Sequence, residues 1–294
     1  MSLDMHTVAD ANELAAEVLS AEENARRRLR AAKAFVFDMD GVLYRGDAAL
    51  PGVNDLLGAL TLREKGYMLA TNNSMATPTD YVRKLAGMGI TVPEESILTS
   101  AMATRDYLVE TLPADAGIFV IGMPALREQL FRETAFHPVQ YGEEAPAAVV
   151  IGLDKTFTYD KLAMANEAIR GGARFVATNA DATLPTEAGL VPGCGSLVAA
   201  VAAASGQVPT VIGKPEPLLL QMALERLGTD PASSVMIGDR LDTDIVAGAR
   251  AGMLTVLVLT GVSTREEISA AAVLPDLVFT DLNAVLEALV VNDE

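Results

Sequence analysis

FVFDMDGVLY, residues 35–44, is an apolar run that ends in two carboxylates, Asp38 and Asp40, and then a glycine, Gly41. Burying an unpaired charge is costly, so the two acids mark the point where a buried strand leaves the core. Runs of similar design recur along the chain: YMLATN (67–72), IFVIG (118–122), AVVIGL (148–153), RFVATN (174–179), TVIG (210–213), SVMIGD (234–239) and LTVLVLTG (254–261). The first run itself begins one residue earlier, as AFVFDM (34–39). Helical patterns fall between the runs, at 53–65, 78–87, 101–111, 124–132, 160–170, 195–204, 216–227 and 243–251. Strands that are apolar throughout and alternate with helices predict an α/β fold, with parallel sheets covered on both faces. Sites in such folds lie beyond the carboxyl ends of the strands, which is where Asp38 and Asp40 stand.

Polar residues mark three further strand ends. Thr71, Asn72, Asn73 and Ser74 follow the second run, Lys214 follows TVIG within GKPEP, and SVMIG leads into GDRLDTD with Asp239, Asp242 and Asp244. With these strands adjacent, the residues meet in one crevice and supply carboxylates, a hydroxyl and an ammonium. Several carboxylates in one crevice repel each other. A hard divalent cation relieves the repulsion, and Mg²⁺ commonly binds one or two carboxylates together with a substrate phosphate. Lys214 is a compact charge suited to a phosphate oxygen. Such a site favours phosphoryl transfer, in which one carboxylate attacks and another moves the proton.

The ordered set DMDGVL, TNNS, GKPEP and GDRLDTD resembles the four motifs of the haloacid dehalogenase (HAD) superfamily of phosphohydrolases. The likeness is greatest to the p-nitrophenylphosphatase or NagD-type branch and covers nearly all of the chain after residue 33. It implies a Rossmann-like parallel-sheet core, 34–111 with 208–294, and a cap domain inserted at 112–207; residues 1–33, outside the likeness, read as an N-terminal helical extension. It also implies site roles. Asp38 is the nucleophile and Asp40 the general acid/base. Thr71, with Asn72 and Asn73, holds the phosphate, and Lys214 binds it while offsetting the nucleophile's charge. Mg²⁺ is held by Asp38, Asp239 and the main-chain carbonyl of Asp40, with Asp244 orienting the metal's water shell or Lys214. The stretch TNADATLPTEAGLVPGCGS (178–196) is similar to the branch's substrate-facing cap loop, with Asn179, Asp181 and the glycine-rich tail as candidates. The expected activity is hydrolysis of a small phosphorylated metabolite, of the sugar phosphate, phosphoglycolate or p-nitrophenyl phosphate type. The alternatives are a phosphotransferase or mutase built on the same site, a nucleotide phosphatase, and a non-catalytic protein that keeps the fold. A homodimer through the cap is the prior that similar proteins carry.

Blander readings stand beside these roles. An aspartate at a strand end is often only a helix cap or a turn former. Thr71 and Asn72 can cap the next helix, Lys214 can be a surface loop residue, and Asp181 is open between turn former and substrate contact. Asp242 reads as a solvated or capping residue. GYMLATNNSMATP (66–78) and GARFVATNADATLP (172–185) echo each other, each with Thr-Asn at a strand end. Similar design, duplication and chance all account for that echo.

The 294 residues are half apolar, with 21% charged, a globular composition. The formal charge of −17 argues against a nucleic-acid partner, whose binding needs basic surface. No apolar run is long enough to span a bilayer and no secretory signal pattern opens the sequence, so no membrane partner is expected. The single cysteine, Cys194, suits a reducing compartment, and a cytoplasmic location is expected. With only His6 and His137, neither in a motif, a Ser-His-Asp enzyme and a histidine-rich zinc site are unsupported. Residues 8–33 carry acids early and bases late, the order that suits a helix dipole.

Overall fold

A computed structural model describes residues 20–140, 143–186 and 189–291 of the chain. The chain clusters into two compact units: the residues up to Tyr67 together with those from Leu224 onward, and Met68–Ala223.

In the first unit the strands Leu277–Phe279, Leu254–Val258, Ser234–Gly238 and Ala34–Phe37 pair side by side, all parallel, in that order. The three longest are buried along their full lengths, because Val, Ile, Leu and Phe are covered on both faces. Ala34 pairs with Ser234 and Phe37 with Ile237, so the ends of these two strands lie level. Helices Val53–Leu62 and Leu282–Val290 pack against each other.

Residues 20–31 are helical, and residues 8–19 of the expected N-terminal helix lie outside the described residues. Ala25, Leu29 and Ala32 are buried, and the Arg26 guanidinium sits 5.4 Å from the centre of the Phe279 ring. The Lys65 ammonium donates to the carbonyls of Arg30, at 2.9 Å, and Ala32. It thereby satisfies acceptors that a helix end leaves open.

In the second unit the strand Gly66–Thr71, whose first residues belong to the other unit, pairs in parallel with Ile97–Thr99. A separate five-stranded parallel sheet runs in the order Thr210–Val211, Arg174–Ala177, Ala148–Ile151, Gly117–Ile121, His137–Pro138. Ile121, Val149, Ile151, Ala165, Ala177 and Val201 belong to the core formed between this sheet and its helices. Thr183–Thr186 and Gly189–Pro192 form an antiparallel pair.

The structure departs from expectation at several elements. The helix expected at 243–251 is instead a π turn, Leu241–Ile245, followed by a short α-helix, Val246–Arg250. The Arg240 carbonyl accepts from both Asp244 N–H (3.1 Å) and Ile245 N–H (3.2 Å). The widened turn follows from Asp244, whose carboxylate turns back to the strand end. The strands Ile97–Thr99 and Leu277–Phe279 were not expected, since three residues are too few to show a period. Helix Leu282–Val290 was not expected either, although Asp281 caps it by accepting the Ala284 N–H. Among the described residues no helix is long and apolar enough to cross a membrane.

Candidate active site

The first unit brings three of the expected residues together. Asp38, Asp239 and Asp244 each offer a carboxylate oxygen, and the three oxygens lie within 4.8 Å of one another. Their positions follow from the strand ends. The Asp38 N–H donates to Ile237 O at 2.9 Å, continuing the ladder one residue beyond Phe37. Asp239 directly follows the strand Ser234–Gly238. The alternation of the strand persists briefly past its end: Asp38 is half-buried, Met39 buried and Asp40 exposed. Gly41 then takes a φ of 86°, which favours glycine, and its N–H closes a tight turn onto Tyr44 O at 2.8 Å. Asp40 is bridged to Tyr44 and is not one of the three clustered carboxylates.

Asp244 is buried, and its Oδ2 accepts from the backbone N–H groups of Asp239 (3.2 Å) and Arg240 (3.1 Å). Asp239 is also buried, and its Oδ2 accepts the Val262 N–H at 2.7 Å. Asp242, two residues from Asp244, is exposed and paired with Arg240 at 2.9 Å, in keeping with a solvated role.

A segment that sequence reasoning missed completes this cluster. Thr260–Ser263 follows the strand Leu254–Val258 and wraps the Asp239 carboxylate. Ser263 N–H donates to Asp239 O at 3.0 Å, and Ser263 Oγ accepts the Leu241 N–H at 3.0 Å. Thr260 Oγ1 donates to Gly41 O at 2.6 Å, and Arg45 donates to the carbonyls of Thr260 and Gly261. A Cβ on Gly261 would lie 1.9 Å from Asp239 Oδ2, and one on Gly238 2.2 Å from Asp244 Cβ. The available signal was Thr-Gly at the end of the last apolar run, in LTVLVLTGV.

The donor set fits a hard divalent cation: carboxylate oxygens of Asp38 and Asp239 just past two strand ends and of Asp244 in the π turn, with glycines leaving room for them. Asp38 and Asp239 would hold the ion. Asp244, whose Oδ2 is held by two backbone N–H groups, would keep Asp239 oriented.

The second unit holds the expected residues Thr71, Asn72, Asn73, Asn179, Asp181 and Lys214. Thr71 ends the strand Gly66–Thr71, is buried, and its Oγ1 accepts the Asn73 N–H at 3.2 Å. Asn73 Oδ1 in turn accepts the Met75 N–H at 2.8 Å. Lys214 is buried, and its Nζ donates to Ala70 O at 3.1 Å, one residue before Thr71. Asn72 Nδ2 donates to Lys214 O at 2.8 Å and to Asp181 Oδ2 at 3.2 Å. Asn179 Nδ2 donates to Asn72 O at 2.8 Å. Thr71, Asn72, Lys214, Asn179 and Asp181 are thus one hydrogen-bonded neighbourhood. Gly213 permits it, since a Cβ there would lie 2.5 Å from Asn72 Oδ1 and 2.7 Å from Thr178 O. Cys194 is buried, and desolvation pushes its thiol up to about 11, which leaves it an inert core residue.

A parallel α/β architecture with carboxylates gathered at its strand ends defines a class, and sequence comparison gives that class its name. The haloacid dehalogenase-like hydrolase model matches residues 35–135, and a second HAD-hydrolase-like model matches 211–285. The chain belongs to the haloacid dehalogenase-like hydrolase family. It is 40% identical over 257 residues to an acid sugar phosphatase of Staphylococcus aureus, covering 87% of this chain and 98% of that protein. The structure of a 4-nitrophenylphosphatase from Thermotoga maritima superposes with a TM-score of 0.82 at 37% identity, covering 89% of this chain and 99% of that one. A glycerol phosphate phosphatase from Mycobacterium tuberculosis, solved in complex with magnesium, gives 0.80 at 34% identity, covering 87% and 78%.

Proposed function

We propose that this protein hydrolyses small phosphomonoesters by way of an aspartyl-phosphate on Asp38. It is a phosphoric monoester hydrolase of the HAD type, as its relatives' names and its family match support. The observation that carries the mechanistic reading is the convergence of Asp38 and Asp239, just past the ends of two paired strands, with Asp244 from the π turn that follows. Mg²⁺ is the cation this reading assigns to them. When bound, it neutralises charge on the nucleophile and on the phosphoryl oxygens.

The remaining chemistry belongs to the chain. A carboxylate oxygen of Asp38 attacks phosphorus, and the bond from phosphorus to the ester oxygen breaks. Asp40, as the acid, gives its proton to that departing oxygen. Its exposed position past the strand end, just before the turn at Gly41, suits exchange with solvent. Water then attacks the aspartyl-phosphate, Asp40 takes the water's proton, and the bond to Asp38 breaks to release phosphate. Thr71 and Lys214 hold the phosphoryl oxygens, a role supported by their position at strand ends in the family's motif order.

The same reading takes 34–111 with 208–294 as the catalytic core and 112–207 as the inserted cap. Four strands of the five-stranded sheet, Gly117–Ile121, His137–Pro138, Ala148–Ile151 and Arg174–Ala177, fall within 112–207, and the fifth, Thr210–Val211, lies just past that boundary. A homodimer through the cap and a cytoplasmic location complete the reading. The exposed Leu190 is an apolar residue available to such an interface.

The substrates of the named relatives point to phosphorylated sugars and polyols. Phosphate release from p-nitrophenyl phosphate and a panel of such esters, with and without Mg²⁺, tests the proposal. Turnover that is abolished by Asp38→Asn is expected. Its survival in that variant would refute the assignment of the nucleophile.

A further inference from the structure

The two echoing stretches, with Thr-Asn at 71–72 and again at 178–179, are bonded directly to each other within the second unit. Asn179 Nδ2 donates to Asn72 O, which also accepts from Ser100 Oγ at 2.6 Å. Thr178 Oγ1 lies 3.3 Å from Ser74 Oγ. Both amide hydrogens of Asn72 are directed at protein acceptors: Lys214 O and the Asp181 carboxylate. Asn72 therefore ties together the neighbour of Thr71, the backbone of Lys214 and the loop 178–181.

That loop is itself held rigidly. Asn179 Oδ1 accepts the Asp181 N–H at 3.2 Å, and Asp181 O accepts the Gly195 N–H at 2.8 Å. A Cβ on Gly195 would lie 2.3 Å from Ala180 O, and one on Gly193 2.3 Å from Asp181 O. The glycine-rich tail thus lets two backbones approach closely, and the loop presents a fixed carboxylate to Asn72.

We propose that Asp181 is a positioning residue that acts through Asn72: it fixes the phosphate-holding loop Thr71–Asn73 and does not itself contact substrate. The inference rests on the phosphatase reading above. A direct contact with the leaving group would make its effect depend on the substrate. Action through Asn72 makes the effect common to every ligand that carries a phosphoryl group, inorganic phosphate included.

The test compares Asp181→Ala with Asp181→Asn, using the full chain with Mg²⁺. The readouts are the inhibition constant of inorganic phosphate and KM for three esters with unlike leaving groups. The asparagine is isosteric and keeps an oxygen to accept from Asn72, so it folds and retains the bond. Asp181→Ala, which removes a charge-assisted acceptor, is expected to raise the phosphate inhibition constant and every KM by a common factor of about tenfold. Asp181→Asn is expected to stay within about threefold of the parent. The inference is overturned if Asp181→Asn is as damaging as Asp181→Ala. It is also overturned if KM changes for some esters while phosphate inhibition stays unchanged, or if Asp181→Ala behaves as the parent. A parent protein that neither hydrolyses esters nor binds phosphate refutes the phosphatase reading, and the inference with it.

Discussion

Replacing Gly261 by alanine tests whether the segment after the strand Leu254–Val258 sets the geometry of the acidic cluster. The new Cβ would lie 1.9 Å from Asp239 Oδ2, 2.3 Å from its Cγ and 2.4 Å from its Cβ. Carbon and oxygen atoms that are not bonded approach only to about 3.0–3.5 Å, so the carboxylate or the segment must move by more than about 1 Å. The obstacle is the stem of a side chain pinned at its tip by Val262 N–H, so no rotation relieves it. Gly261 is not among the glycines with positive φ, so the whole effect comes from space and none from backbone strain. A misplacement of about 1 Å in a catalytic group costs on the order of 100-fold in rate. The packing strain costs about 1–3 kcal/mol of stability. Isothermal titration of the variant with Mg²⁺, kcat/KM for p-nitrophenyl phosphate and a thermal melt measure the three consequences. Weaker Mg²⁺ binding together with the rate loss is expected. A variant that melts lower yet binds Mg²⁺ and turns over like the parent would refute the reasoning.

Other expectations concern stability and reactivity. Leu29→Ala, in the N-terminal helix, should cost about 2–5 kcal/mol, because the leucine is wholly buried; an unchanged melting temperature would show that the helix is not docked. Burial pushes the Asp154 carboxyl up, but hydrogen bonds from Lys161 (2.6 Å) and Thr156 outweigh it and hold the group below its ordinary value. Its stabilisation is therefore full above the unfolded-state value of about 4 and lost as pH falls through the lower folded value. Melting curves of Asp154→Asn should accordingly be flatter than the parent's below about pH 4, and a parallel fall would count against this. The Cys194 thiol, raised to about 11 and buried, should react with a thiol reagent at pH 8 only after unfolding; fast labelling of the native protein would contradict its placement. Gly58→Ala, at an exposed helical site with nothing within 4 Å of the added carbon, should stabilise by about 0.5–1 kcal/mol, as read from denaturant melts.

What could be read from the sequence and what could not divide along physical lines. The long buried strands were legible because each is a continuous apolar run closed by a polar residue, as in FVFD and SVMIGD. Asp38 and Asp239 were legible for the complementary reason, since acids that directly follow a buried strand are costly at the mouth of a core and so stand out. The π turn was not legible, because it depends on where the Asp244 carboxylate reaches, and Asp244 read as one more residue of a helical pattern. The segment Thr260–Ser263 escaped notice because it acts through backbone N–H groups and the absence of a Cβ at Gly261, neither of which has a compositional mark. Asn179 and Asp181 stand out in the sequence only as candidates, and sequence alone leaves Asp181 between a turn former and a substrate contact. Its bond to Asn72, more than one hundred positions away in the chain, is a contact that no local pattern shows.

The pairing of Ala34 with Ser234 places the two central partners of the first sheet 200 residues apart in the chain. During synthesis Met68–Ala223 is complete, and free to form its own sheet, before the partner of the first strand has been made. Asp38 is therefore translated early and waits, without its neighbours, until Asp239, Asp244 and finally Gly261 emerge. A ribosome-bound or prematurely terminated chain carries Asp38, the proposed nucleophile, but not the two carboxylates that gather beside it. On the proposed mechanism, a product truncated before Asp239 has Asp38 without its partners and is expected to be inert.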